Sequence, residues 1–350
     1  MLYLQRTLLA ILALTTTTTT AQLNQLAKKA GLLYIGTAVD NGNLLNKTYK
    51  SIVTDTQEFG QLTPENGMKW FAVEPSPGVF NYTLGNEIAN LATQDRQLLR
   101  CHALVWHSQL PAWVDQTTSW TAATLTAALK RHIFNEAQHW TRECYAWDVL
   151  NEALNEDGTY RNSTFLQVLG PAYIPLVFKF ASQAAPRAKL YYNDYNIESP
   201  GPKATAAQAI VKSLKKQHIR IDGVGLQSHF IAGNAPSYAQ QIQNMRAFES
   251  LGVDVAITEL DVRLLLPTDA TNLQQQSQAY VDAVQACVDV RACVGVTVWN
   301  FWDPVSWVPG VFTGYGAALL YFEDFTKHPA YYAIVDALKK SAKGKWKRIS

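Results

Sequence analysis

The sequence predicts an α/β fold, a single-domain (β/α)8 TIM barrel, on three observations. Eight short apolar, β-branched runs alternate with stretches of helical spacing, the 350-residue length suits one large barrel, and no glycine-rich dinucleotide fingerprint follows the first run. The runs lie at 32–39, 59–65, 99–106, 145–151, 189–193, 223–228, 254–260 and 294–300, each giving way to polar residues. Helical periodicity appears between or after them at 124–140, 163–184, 202–217, 238–251, 273–289 and 329–340. Such alternation requires parallel strands covered by helices. Eight units close into a ring, and an open doubly wound sheet is the competing layout.

Taken in order, the chain begins with Arg6, an apolar run from Leu8 to Leu14, a threonine tract and Ala21, the pattern of a cleaved secretory leader over residues 1–21. A membrane span would need about 20 apolar residues, so no membrane association is expected. A catalytic domain is expected over 22–338, with no linker dividing it. The basic tail at 339–350 carries Lys339, Lys340, Lys343, Lys345, Lys347 and Arg348. It is expected to be a solvated end, with attraction to acidic polysaccharide as the weaker alternative. Acceptor triplets for N-glycans begin at Asn46, Asn81 and Asn162 and agree with an extracellular protein. Four cysteines in an exported chain act as braces. Cys287 and Cys293 flank a helix-to-strand turn and favour a local bridge, while Cys101 and Cys144 stand at two strand starts and pair if those starts are neighbours. A zinc site is the alternative, unsupported by any Cys-x-x-Cys or paired-histidine spacing, and no metal or other cofactor is expected. A 48% hydrophobic composition excludes a disordered chain, and 30 Lys and Arg against 28 Asp and Glu call for no nucleic-acid partner. A monomer is expected.

In such a barrel the working residues gather at the carboxyl ends of the strands. Glu152 ends the fourth run and Glu259 the seventh, so their tips face one another across the mouth. Paired carboxyl groups in a polar cleft suit glycoside hydrolysis, one protonating the leaving oxygen while the other attacks the sugar carbon or activates water. His229 closes the sixth run beside the seventh, where it can hydrogen-bond Glu259 and keep it ionised. Asn151, next to Glu152, offers an amide to a sugar hydroxyl.

Several ordered segments carry a family resemblance: Glu65-Asn66-Gly67-Met68-Lys69-Trp70, His102-Ala103-Leu104-Val105-Trp106-His107, Asn151-Glu152, Gln227 with His229, Thr258-Glu259, and Trp299 with Trp307. With them the chain resembles a fungal endo-1,4-beta-xylanase of glycoside hydrolase family 10 from about Tyr34 to Ala337. The resemblance implies Glu152 as acid/base, Glu259 as nucleophile and His229 as its holder. It also implies sugar contacts from Glu65, Asn66, Lys69, His102, Trp106, His107, Gln109, Asn151 and Gln227, with Trp299 and Trp307 as the glycone wall and Tyr195 on the aglycone side. Xylan and xylo-oligosaccharides are the implied substrates. A retaining mechanism is expected, with carboxyl groups about 5–5.5 Å apart. Trp70, Trp113, Trp120 and Trp140 lack a cleft argument and are expected to pack.

Two residues depart from the family pattern. Ala103 replaces a usual threonine beside a peptide link that is often cis in relatives, and Asn300 stands where glycine commonly follows the strand-eight tryptophan, adding bulk at the rim. A β-1,4-glucanase or mixed xylanase/cellulase on the same barrel is the alternative within enzymes. A non-catalytic polysaccharide-binding or inhibitor barrel is the alternative outside them, opposed by the presence of both glutamates and His229.

Overall fold

The computed structural model describes residues 22–349, so the leader expected at 1–21 lies outside the described residues. The eight expected strands are present: β1 Tyr34–Val39, β2 Gln61–Pro64, β3 Leu98–Trp106, β4 Cys144–Asn151, β5 Lys189–Asp194, β6 Gly223–Leu226, β7 Asp254–Leu265 and β8 Cys293–Val298. Each pairs in parallel with the next, and β8 pairs with both β7 and β1, which closes the ring and removes the open-sheet alternative. Strands buried on both faces read as near-continuous apolar runs, as the burial of β1 throughout illustrates.

Local chemistry sets the helix starts. Capping boxes at Thr121 with Thr124, Ser237 with Gln240 and Asp269 with Asn272 open the helices Ala122–His139, Tyr238–Glu249 and Ala270–Asp289. The single helix expected at 163–184 is divided into Thr164–Leu169 and Tyr173–Ala184 by a 3-10 turn at Gly170–Ala172. Gly170 has φ 61° and Pro171 lacks an N–H, so the turn cannot continue the helical ladder smoothly. Helices Leu23–Lys29, Lys47–Val53 and Thr83–Gln94 were not expected, and the last helix, Pro329–Ile349, continues past Lys340 through the basic stretch.

Two differences shape the mouth of the barrel. β7 runs five residues beyond the expected end at 260, and His229–Ile231 forms a separate short strand beside it, pairing His229 with Asp261. Between β6 and this short strand Ser228 takes φ 67°, re-aiming the chain toward β7. Both expected disulfides are present. Cys101–Cys144 joins the starts of β3 and β4 with a Cα–Cα distance of 5.7 Å, and Cys287–Cys293 spans the turn from helix Ala270–Asp289 into β8 at 5.1 Å. Trp70 and Trp140 are buried, Trp70 stacking on His132 at 3.8 Å, and Trp113 and Trp120 pack against the core, as expected for tryptophans outside the cleft.

Candidate active site

A cleft of about 650 Å³ opens at the carboxyl ends of the strands. Glu65, Asn66, Lys69, His102, Trp106, Gln109, Asn151, Glu152, Tyr195, Gln227, His229, Glu259, Trp299 and Trp307 all line it, as do Asn196, Arg263 and Phe312, which sequence reasoning did not single out. His107 is set back from the lining, its Nδ1 4.0 Å from Glu152 Oε2. Several of these residues occupy the left-handed backbone region: Glu152 at φ 54°, Gln109 at 47°, Asn196 at 54°. Strain of this kind gathers at functional sites because the surrounding scaffold must enforce it.

Glu152 is anchored by its own backbone. Its N–H donates to the Asn193 carbonyl at 2.9 Å and its carbonyl accepts from Arg161 Nε at 3.0 Å. Its Oε1 accepts from Gln227 Nε2 at 3.1 Å and from Asn151 Nδ2 at 3.4 Å. Glu259, 5% exposed, is held differently. Oε1 accepts from Asn193 Nδ2 at 2.8 Å and Oε2 from His229 Nε2 at 3.1 Å. Burial alone would raise its pKa, but the His229 hydrogen bond and the positive fields of His102 and His229 outweigh burial and hold the carboxyl below the usual glutamate range.

The group behind His229 is Asp261, whose Oδ2 accepts from His229 Nδ1 at 2.8 Å and from Trp307 Nε1 at 2.7 Å. Burial pushes the imidazole pKa down, yet the charge and hydrogen bond of Asp261, with those of Glu259, raise it to about 10. His229 is therefore a cation that donates from both nitrogens. Asn193, fully buried, joins the two glutamates: its Nδ2 donates to Asn151 Oδ1 at 2.9 Å as well as to Glu259, and Thr258 Oγ1 fixes its Oδ1 at 2.7 Å. Neither Asp261 nor Asn193 was assigned a role from the sequence. The signal for Asp261 was its position two residues past Glu259, on the same face of a strand.

On the β2 and β3 side, Lys69 Nζ donates to Asn66 Oδ1 at 3.2 Å and Gln109 Oε1 at 2.6 Å, and sits 4.9 Å from the Trp106 ring centroid. Burial pulls its pKa down, against the carboxylates Glu259, Glu65 and Glu152. Glu65 is pushed up to about 7, chiefly by burial. His102 Nδ1 bonds Asp148 Oδ2 at 3.0 Å, and its ring meets Trp299 edge-on at 5.4 Å. The His102–Ala103 peptide is cis. Asn300 does not add bulk at the rim as expected. It is 1% exposed, has a backbone φ of 68°, and is turned inward, where its side chain is held by hydrogen bonds with Tyr49 and Glu65. On the opposite side Tyr195 lies under Lys203 Nζ at 3.4 Å from its ring centroid, and its hydroxyl accepts from Arg161.

Comparisons with known proteins agree with this geometry. Residues 22–337 match the family described as Glycosyl hydrolase family 10. The chain is 54% identical over 322 residues to Endo-1,4-beta-xylanase D of Talaromyces funiculosus, covering 92% of this chain and 79% of that protein. It is 52% identical over 336 residues to Endo-1,4-beta-xylanase A of Humicola insolens, with coverages of 94% and 89%. Among solved structures, a xylanase of Bispora sp. MEY-1 with xylobiose superposes with a TM-score of 0.88 at 46% identity, covering 90% of this chain and 99% of that one. An endo-1,4-beta-xylanase of Penicillium canescens gives a TM-score of 0.88 at 43% identity, with coverages of 91% and 98%. By its sequence, its closed barrel and the extent of these matches, the chain belongs to glycosyl hydrolase family 10.

Proposed function

We propose that this protein is an extracellular endo-β-1,4-xylanase that cuts internal bonds of xylan with retention of configuration, Glu152 acting as acid/base and Glu259 as nucleophile. The observation that carries the proposal is the unequal setting of two carboxyl groups in one cleft: Glu259 is tied to a histidine cation, Glu152 to neutral amides. An anionic Glu259 attacks the anomeric carbon while Glu152 gives its proton to the departing glycosidic oxygen, and the carbon–oxygen bond breaks. Glu152 Oε1 is occupied by two N–H donors, so the transferable proton belongs on Oε2. Once Glu259 is esterified, its charge is gone, and Glu152 takes a proton from the water that releases the sugar.

The remaining residues bind and orient. Asn151 Oδ1 accepts from both Gln227 and Asn193, which turns its amide nitrogen to the cleft as a donor for a sugar hydroxyl. Trp299 and Trp307 offer flat faces to the apolar side of the sugar on the glycone side, and Tyr195 does so on the aglycone side. Asn46, Asn81 and Asn162 are exposed and accessible to glycan addition, in keeping with export after removal of residues 1–21. The protein acts as a monomer on soluble or wall-bound xylan, without membrane attachment.

The test compares two variants on aryl xylobiosides. Glu152→Ala should slow substrates with poor leaving groups by about 10²–10⁴-fold and regain turnover with azide, whereas Glu259→Ala should lose retaining turnover. Release of reducing sugar from xylan, with little from carboxymethylcellulose, checks the substrate. Equal losses on good and poor leaving groups, without azide rescue, would overturn the roles.

A further inference from the structure

Asn300 follows Trp299 in a left-handed conformation, φ 68°, that asparagine accepts more readily than most residues. Its side chain is buried and both polar atoms are engaged. Oδ1 accepts from the Tyr49 hydroxyl at 3.1 Å and from the Phe301 backbone N–H at 2.8 Å. A backbone N–H can only donate, so the atom facing it must be the oxygen, and Nδ2 is thereby turned to Glu65 Oε1 at 2.9 Å. Tyr49 is itself immobilised, fully buried and stacked on Phe301 at 4.7 Å, and burial raises its pKa well above 10, so it remains a donor.

Position in the ring gives this contact its meaning. Glu65 follows β2 and Asn300 follows β8, so the pair bridges over β1, diametrically across the barrel from β5 and Tyr195. One end of the cleft is therefore an aromatic platform held by cations, and the other is a carboxyl group held by an amide.

Building on the xylan-cleaving role of the cleft, we infer that Asn300 is a specificity-determining positioning residue. It holds Glu65 Oε1, leaves Oε2 as the acceptor for hydroxyls of the second sugar on the glycone side, and so makes productive binding depend on that sugar. The amide also favours ionised Glu65, opposing the burial that pushes this carboxyl up to about 7.

The experiment uses two chromogenic substrates with one leaving group, an aryl β-xyloside and an aryl β-xylobioside, which differ by that second sugar. N300G is compatible with the backbone and deletes the amide. N300D keeps the shape but replaces the Nδ2 donor with oxygen, so it reaches Glu65 only through a shared proton, and it carries the test should N300G lose its fold. The expected result is that N300G lowers kcat/KM about tenfold more on the xylobioside than on the xyloside, chiefly through KM. N300D should match it near pH 8 and recover near pH 5, where roughly one proton bridges the two carboxyl groups. Equal factors on both substrates, or an N300D pH profile parallel to the parent, would sink the assignment. If Glu259→Ala in parallel keeps its turnover, the cleft has been misread. If it loses turnover while the Asn300 variants treat both substrates alike, only the role of Asn300 falls.

Discussion

His229 stands between two carboxylates, Asp261 at 2.8 Å and Glu259 at 3.1 Å, and its cationic form is what both bonds require. The folded pKa of about 10 lies above the ordinary value of 6.5, so the stabilisation this group contributes is complete below about pH 6.5 and is lost as pH rises through about 10. Activity should fall over the same alkaline range, because Glu259 loses its charged donor. Asp261→Asn removes the largest influence that raises the imidazole pKa while keeping the volume. The alkaline limb of the kcat/KM profile should then move down by at least about one pH unit, with kcat lowered about ten- to a hundredfold. An unchanged alkaline limb would show that Asp261 acts only as a packing residue. His229 and Glu259 were legible as a pair because adjacent strands end together. Asp261 was not assigned, because β7 was expected to stop at 260.

At the scale of elements, the eight strands and most of the covering helices followed from local chemistry, whereas the helices Leu23–Lys29, Lys47–Val53 and Thr83–Gln94 and many element ends did not. Capping boxes set helix starts two or three residues earlier than periodicity alone suggested, at Ala122 and Ala270, since a cap is a single polar contact rather than a repeating pattern. Short helices such as Lys47–Val53 offer too few turns for a period to emerge. The left-handed residues Glu152, Ser228 and Asn300, which follow the ends of β4, β6 and β8, are imposed by the surrounding scaffold. One strand position couples directly to catalysis. A Cβ on Gly225 in β6 would lie 2.1 Å from Asn193 Oδ1 and 2.8 Å from the Thr258 methyl group. Gly225→Ala must therefore displace the amide that joins Asn151 to Glu259, and kcat should drop about tenfold or more while the far-ultraviolet circular dichroism is retained. Unchanged kcat in the folded variant would mean that Asn193 tolerates the shift.

Across the whole molecule, closure of the barrel is reinforced where the segment before β2 meets the late part of the chain. Glu58 accepts from Tyr321 at 2.6 Å and Tyr331 at 2.9 Å, fastening the late part of the chain to the loop before β2. The two disulfides act over different spans, 43 residues for Cys101–Cys144 and 6 for Cys287–Cys293. By chain entropy, removing the first pair as Cys→Ala should cost about 4 kcal/mol and the second about 2 kcal/mol, read from denaturant midpoints. A larger loss from the short loop would show that local packing outweighs the chain constraint. The amino-acid sequence alone determined the eight strands, most of the covering helices, the order of polar residues at the strand ends and the favoured local bridge of Cys287 with Cys293, because these depend on neighbours along the chain, whereas the pairing of Cys101 with Cys144 waited on the starts of β3 and β4 being adjacent. Only the tertiary structure decided that Asp261 backs His229, that Asn193 links the two glutamates and that Asn300 turns inward to Glu65. Those contacts join residues as many as 235 positions apart, and they exist only once the ring closes and the left-handed turns aim each side chain.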